Sequence, residues 1–207
     1  MKTNSIVIAL SIFIISCSNL KNENENMETG KWQTFEISSD IQRNVNLKKM
    51  LFEKEFSILF DSTTLQTKTN NIIFLADEKI DLKDTLNIPN NSFAKNRICS
   101  ANYWKSDTLK INVVNSDGYT GNGFSISVYK KKYKIKYTSF SDAGPSSFNS
   151  PDLKFSFRRL ILNGENYKKN DSIYGFVEFK CVDEKTFSKP VEYYAKGYFR
   201  AKIQDYQ

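Results

Sequence analysis

The chain contains no histidine. That single absence removes the Ser-His-Asp and Cys-His nucleophile arrangements, the usual imidazole general base, and nearly every zinc hydrolase site. Cysteine is scarce as well, with only Cys17, Cys99 and Cys181 in 207 residues, so a four-thiolate zinc cluster cannot form within one chain. Glycine is thin, and where it gathers, at Gly121-Asn-Gly123, the spacing and the following helix of a dinucleotide fingerprint are missing. No P-loop pattern occurs anywhere. Asn115-Ser-Asp117-Gly118 offers oxygen ligands but lacks the alternating acids and distal glutamate of an EF-hand loop. The residues therefore define no catalytic set, no metal site and no cofactor site.

Long hydrophobic runs are also lacking, except at the start. There Met1-Lys-Thr-Asn-Ser leads into the apolar run Ile6–Ile15 and then Ser16-Cys17. One early lysine followed by a run of this length is the n-region and h-region of a secretory signal, and the run is short for a membrane span. Ile14-Ile15-Ser16-Cys17 resembles the lipobox of bacterial lipoproteins, with an aliphatic residue three places before the cysteine and a small residue just before it. The resemblance covers only this leader. It implies cleavage that removes residues 1–16 as signal peptide, a diacylglycerol on the Cys17 sulfur, an acyl group such as palmitate on the new amino terminus, and attachment to the bacterial cell envelope. Ser18, where an aspartate would favour inner-membrane retention, implies the outer membrane. Residues 17–30 are polar, with almost no core-forming side chains, and read as a lipidated tether. Residues 31–207 form the domain, with a smaller N-terminal part at 31–96 as an alternative division.

Within that domain the strongest signal is alternation. Leu109, Ile111 and Val113 alternate with Lys110 and Asn112; Phe124, Ile126 and Val128 with Ser125 and Ser127; Tyr133, Ile135 and Tyr137 with Lys134 and Lys136. A period of two places every second side chain on one face, so the stretch from Asp107 to Tyr137 predicts a three-stranded antiparallel meander with one apolar side. The same period recurs at Leu153, Phe155 and Phe157, from Ile173 to Cys181, and over thirteen residues from Val191 to Ile203, with Gly197 marking a bulge or bend. Trp32, Phe35 and Ile37 suggest a first strand, Asp40 to Phe60 a helix followed by a strand, and Ile72 to Ala76 another strand. Residues 77–97 read as loop, and Trp104 as a core plug. A mostly β domain with little helix follows. One-faced antiparallel strands need a second layer, which makes an antiparallel β-sandwich the expected fold and a β-barrel the alternative.

The formal charge of +7 is spread over lysine-rich strands and turns, with one uninterrupted run at Lys130–Lys132. Outward lysines on strands are ordinary solvated positions that also discourage edge pairing. Nucleic acid is not an expected partner of an exported chain with this pattern; attraction to anionic lipid or acidic glycan fits it better. Cys99 and Cys181 form either a disulfide or a pair of buried thiols. The candidate ligand contacts are Tyr194, Tyr198 and Arg200 on the outward row of the last strand, where they anchor a partner or else pack beneath another element. Asp117, Tyr119 and Asn122 in the glycine-bearing turn are the second group. The expectation is a non-catalytic envelope lipoprotein that binds a protein or a glycan. One alternative is a carboxylate-dependent hydrolase such as a glycosidase, drawing on Asp107, Asp117, Asp142 and Asp171. The other is an immunity-type inhibitor of an envelope toxin.

Overall fold

The computed structural model describes residues 28–29, 31–56, 65–77, 79, 97–104, 107–116, 119–142, 153–186 and 188–205. The expected signal peptide, Cys17, nearly all of the tether, Asp117, the side chain of Trp104 and most of the stretch in which a domain division was expected lie outside the described residues.

The meander forms as the alternation predicts. Strands β8 (Thr108–Ser116), β9 (Thr120–Tyr129) and β10 (Lys132–Ser141) pair antiparallel in sequence order. Leu109, Ile111, Val113, Phe124, Ile126, Val128, Tyr133 and Ile135 are all buried. A strand the hydropathy pattern did not mark, β7 (Arg97–Trp104), extends the sheet beside β8. Its inward row includes Cys99 and Ala101, whose small side chains give a weak alternation signal.

The second half comprises β11 (Leu153–Leu162), β12 (Ser172–Asp183) and β13 (Val191–Asp205), again antiparallel neighbours. The register of β11 against β12 shifts between Phe155 and Phe157. The alternation puts Phe157 inside with Leu153 and Phe155, but this bulge turns it outward to 39% exposure and brings Leu160 and Leu162 in instead.

β13 joins the two halves. Along one edge it pairs with β12 from Val191 to Lys202 without a shift. Along the other it pairs first with β6 (Ile73–Asp77), then, at Ile203–Asp205, runs parallel to β7. The far seam, between β10 and β11, is bridged by the N-terminal segment. There β1 (Glu28–Thr29) and β3 (Glu36–Ile37) pair with β11, and β2 (Gln33–Thr34) pairs with β10. The Gln33 side-chain oxygen accepts from the Tyr133 hydroxyl at 3.3 Å and from Arg158 Nε at 2.7 Å, tying both strands to the segment. The result is an eleven-stranded, nearly closed mixed sheet whose two halves face each other, between a sandwich and a barrel. A separate two-stranded sheet pairs β4 (Lys54–Phe56) with β5 (Leu65–Thr67).

Aromatic rings fill the space between the halves. Phe124 of β9 meets Phe179 of β12 edge-on at 5.0 Å, and Tyr137 of β10 meets Tyr193 of β13 at 5.1 Å. A smaller apolar cluster lies outside β12 and β13. A 3₁₀ turn (Ile41–Arg43) and α1 (Val45–Met50), the latter capped by Asn44 accepting from the Asn46 N–H at 2.9 Å, press Ile41, Leu47 and Met50 against Phe176.

Gly197 sits where β13 changes partners. Its φ of +155° is rare for L side chains, and an added Cβ would come within 2.6 Å of Ile72 Cα and 2.9 Å of the Asn71 carbonyl oxygen. Gly197→Ala is therefore expected to destabilise the fold by about 1–3 kcal/mol, read as a melting temperature several degrees lower; an unchanged melting temperature would show that the 69–73 segment yields freely.

Candidate functional site

The site follows from the way β13 leaves β6 and meets β7. Between these pairings the segment 69–71 stands beside β13, with Asn70 bridged to Phe199 and Thr69 at the end nearest β7. The Thr69 carbonyl accepts the Arg200 N–H at 2.8 Å, and its hydroxyl oxygen accepts the Cys99 N–H of β7 at 2.9 Å. Thr69 is thus a wedge between two strands that join only three residues further on. The strands splay around it and leave an open cleft of about 330 Å³.

The wedge is braced from behind. The Thr69 N–H and hydroxyl both donate to Glu55 Oε1, at 3.0 and 2.8 Å, and Gln66 Nε2 approaches the same oxygen at 3.4 Å. Glu55 is buried, and desolvation raises its carboxyl above the ordinary glutamate range, an effect the Thr69 hydrogen bonds only partly offset. Burial disfavours the charged form while the converging donors favour it, and Glu55 acts as a positioning group for Thr69.

Cationic and hydrogen-bonding side chains line the cleft. Arg200 and Lys202 come from β13, Ser172 and Tyr174 from the β12 positions paired with them, Ser100 from β7 and Gln66 from β5. Arg200 is held by its Nε donating to the Lys68 carbonyl at 3.1 Å. None of the described lining residues is a carboxylate. Such a surface can hold an anionic, hydroxyl-rich group by charge and hydrogen bonds. Cys99 also lines it, but burial pushes the thiol far up, which leaves it protonated and a poor nucleophile near neutrality.

The three candidate contacts on β13 share a row but not an environment. Tyr194 is buried, at 5% exposure, and its hydroxyl meets Glu178 Oε1 at 3.2 Å, so it offers no exposed platform. Tyr198 is half-buried beneath the helical segment, its ring tilted against Phe176 at 5.0 Å, with its hydroxyl accepting from Asn44 Nδ2 at 3.1 Å. Only Arg200 of the three lines the Thr69 cleft. Tyr119, at 74% exposure, lies on the β8–β9 connection, and exposed Asn122 lies near the start of β9. Asn122 is level with Asn115 and Arg97, at the same end of the sheet as the cleft and two strands along from its β7 wall, about 10 Å by strand spacing.

The candidate acids scatter. Asp107 precedes β8 and Asp142 follows β10, where its N–H donates to the Tyr119 carbonyl at 2.9 Å. They therefore occupy opposite ends of the meander, about 30 Å apart along β8, far beyond the spacing of a glycosidase pair. Asp171 accepts from the Lys168 N–H in a turn. Cys99 and Cys181 are separate buried thiols rather than a disulfide.

Sequence reasoning did not mark Thr69, Glu55 or Lys202. Lys202 carried a usable signal, being the next outward residue after Arg200. Thr69 and Glu55 carried none, since their roles arise from a contact between segments remote along the chain. No protein-family model, curated protein or solved structure matches the chain.

Two measurements test this arrangement. Denatured without reductant, the protein is expected to present both Cys99 and Cys181 to a thiol reagent, while the folded protein reacts slowly at either; a missing pair of equivalents would show a disulfide. Because the folded-state pKa of Glu55 is raised, its contribution to stability is full at low pH and is lost as pH rises through that value. Glu55→Gln should remove this component, so that melting temperatures of the variant fall less than those of the wild type as pH rises from the acid side.

Proposed function

We propose that this chain is a lipoprotein of the bacterial envelope, anchored in the outer membrane through Cys17, that binds an anionic glycan without turning it over. The observation that carries the binding half of this reading is the Arg200–Lys202 cleft, which places two cations among hydroxyl and amide groups with no carboxylate in its described lining. Its volume suits one or two sugar units, whereas a stable protein interface buries about 800 Å² on each partner and has no need of a concave site. The lipobox-like Ile14-Ile15-Ser16-Cys17 supports the anchor half.

The reading separates from hydrolysis on chemical grounds. A sugar in this cleft meets cations and neutral donors, while a glycosidase needs a carboxylic acid on each side of the scissile bond. Uronate or phosphate groups would pair with the Arg200 guanidinium, the stronger hydrogen-bonding partner of the two cations, with Lys202 adding charge at the rim.

Calorimetric titration with acidic and neutral oligosaccharides tests this. The acidic series is expected to bind and the neutral series to bind at least tenfold more weakly. Lys202→Ala and Arg200→Gln should each weaken the acidic series several-fold to about a hundredfold, within the range for losing a charge-assisted hydrogen bond, and Lys202→Ala should leave the melting temperature unchanged. Equal affinity for neutral sugars, or release of a reducing end on incubation, would overturn it.

A further inference from the structure

The β9–β10 hairpin has a chemistry that the cleft does not use. Its two turn residues, Lys130 and Lys131, have φ of +44° and +58°, the left-handed pair of a tight two-residue turn in which Asn-Gly is the usual choice. Lysine there costs backbone energy that Asn-Gly would avoid. Lys132 follows, then Lys134 and Lys136, all on the outward row, because Tyr133 and Ile135 point into the core.

Two aromatic side chains sit among these cations. Trp32, 39% exposed, lies with its ring 4.9 Å from Lys134 Nζ and 6.4 Å from the Tyr129 ring. Lys130 Nζ in turn lies 5.0 Å from the centre of Tyr129. Trp32 belongs to the N-terminal segment that bridges the seam, four residues after Glu28, where the chain reaches the sheet from the direction of Cys17. Asp107 is the acid whose field reaches Lys130.

Amphipathic rings beside clustered lysines are the combination that rests at a bilayer surface, the rings at headgroup level and the cations against anionic lipid. We propose that the Lys130–Lys132 turn, with Trp32, Tyr129 and Lys134, is the face that the domain lays against an anionic phospholipid surface, orienting the cleft relative to the membrane. The occupant follows from charge complementarity and from covalent reach. Ten residues separate Cys17 from Glu28, so an anchor at Cys17 holds Glu28 within about 40 Å of the bilayer, with Trp32 four residues further on. The proposal rests on the lipid-anchor reading given above and adds to it which side of the domain faces the lipid.

The test uses the full mature chain with vesicles of phosphatidylcholine alone and of phosphatidylcholine mixed with phosphatidylglycerol. Flotation with phosphatidylcholine alone reports the anchor. Lysine acetylation rates, read by mass spectrometry, report the face. The expected result is that Lys130, Lys131, Lys132 and Lys134 react about fivefold more slowly on the anionic vesicles, that Lys48 and Lys49 on α1 do not, and that high salt removes the difference. Lys130→Asn with Lys131→Gly gives the turn its preferred residues, so loss of protection at Lys132 and Lys134 in that variant cannot be ascribed to unfolding. Equal rates on both vesicles, or equal protection of α1 lysines, would overturn the proposal even where flotation succeeds. Failure to float on phosphatidylcholine with hairpin protection on the anionic vesicles would overturn the anchor alone.

Discussion

The structure depends on β13 having more partners than one edge of a strand can serve at once. One edge stays with β12 throughout. The other is shared in succession by β6, by the 69–71 segment and by β7. Every backbone donor and acceptor taken from water must find a partner, and a strand that turns from one half of the sheet to the other would leave several without one at the point of transfer. Thr69 fills that gap with its carbonyl on the β13 side and its hydroxyl on the β7 side. A side chain standing in for a strand holds the strands apart, so the cleft is a direct result of how the halves are joined. Gly197, Glu55 and Arg200 all serve or border the same transfer point, which explains why a strained backbone, a buried carboxyl and a cationic cleft are found together.

Burial has a different logic on the two surfaces of the sheet. The inner surface is filled by rings from both halves, Phe74, Phe124, Phe155 and Phe179 among them, and this clustering gives the nearly closed sheet one contiguous interior. The outer surface of β12 and β13 would show Phe176 and Tyr198 to water, and the Ile41–Met50 helical segment covers them. Covering that patch leaves Arg200 and Lys202, further along the same row, beside the open cleft.

Most of the fold was legible in the residues because a period of two is a physical consequence of the pleat, and in β8, β9, β10, β12 and β13 apolar side chains are large enough to announce it. It failed where size or register intervened. β7 hides its inward row in Cys99 and Ala101, and the bulge in β11 reverses Phe157 in a way no hydropathy pattern records. The site was half legible. Arg200 stands out as a charge on an outward row, but whether an outward tyrosine is exposed depends on what lies over it. Tyr194 and Tyr198 have the same sequence signature as Arg200 and are both drawn into packing. Glu55 and Thr69 were invisible, since neither residue means anything until the chain has brought position 55 to position 69 and both to Cys99.

The seam opposite β13 obeys a stricter condition. β10 and β11 are the last strands of their halves, and two uncovered edges would present rows of unsatisfied backbone groups. The segment from Glu28 to Ile37 pairs with both and is fastened by Gln33 to Tyr133 and Arg158, and by the Glu36 carboxylate receiving two hydrogen bonds from the Arg159 fork at 2.7 and 2.9 Å. These links lie near the surface, where each exposed ion pair contributes at most about 1 kcal/mol, so the segment is held mainly by its strand pairing and by buried Phe35. A lipid at Cys17, as proposed, would pull on the domain through this segment and no other. The residues that close the sheet would then also carry the connection to the membrane, and closure of the seam and retention of Trp32 beside the lysine hairpin become one structural requirement.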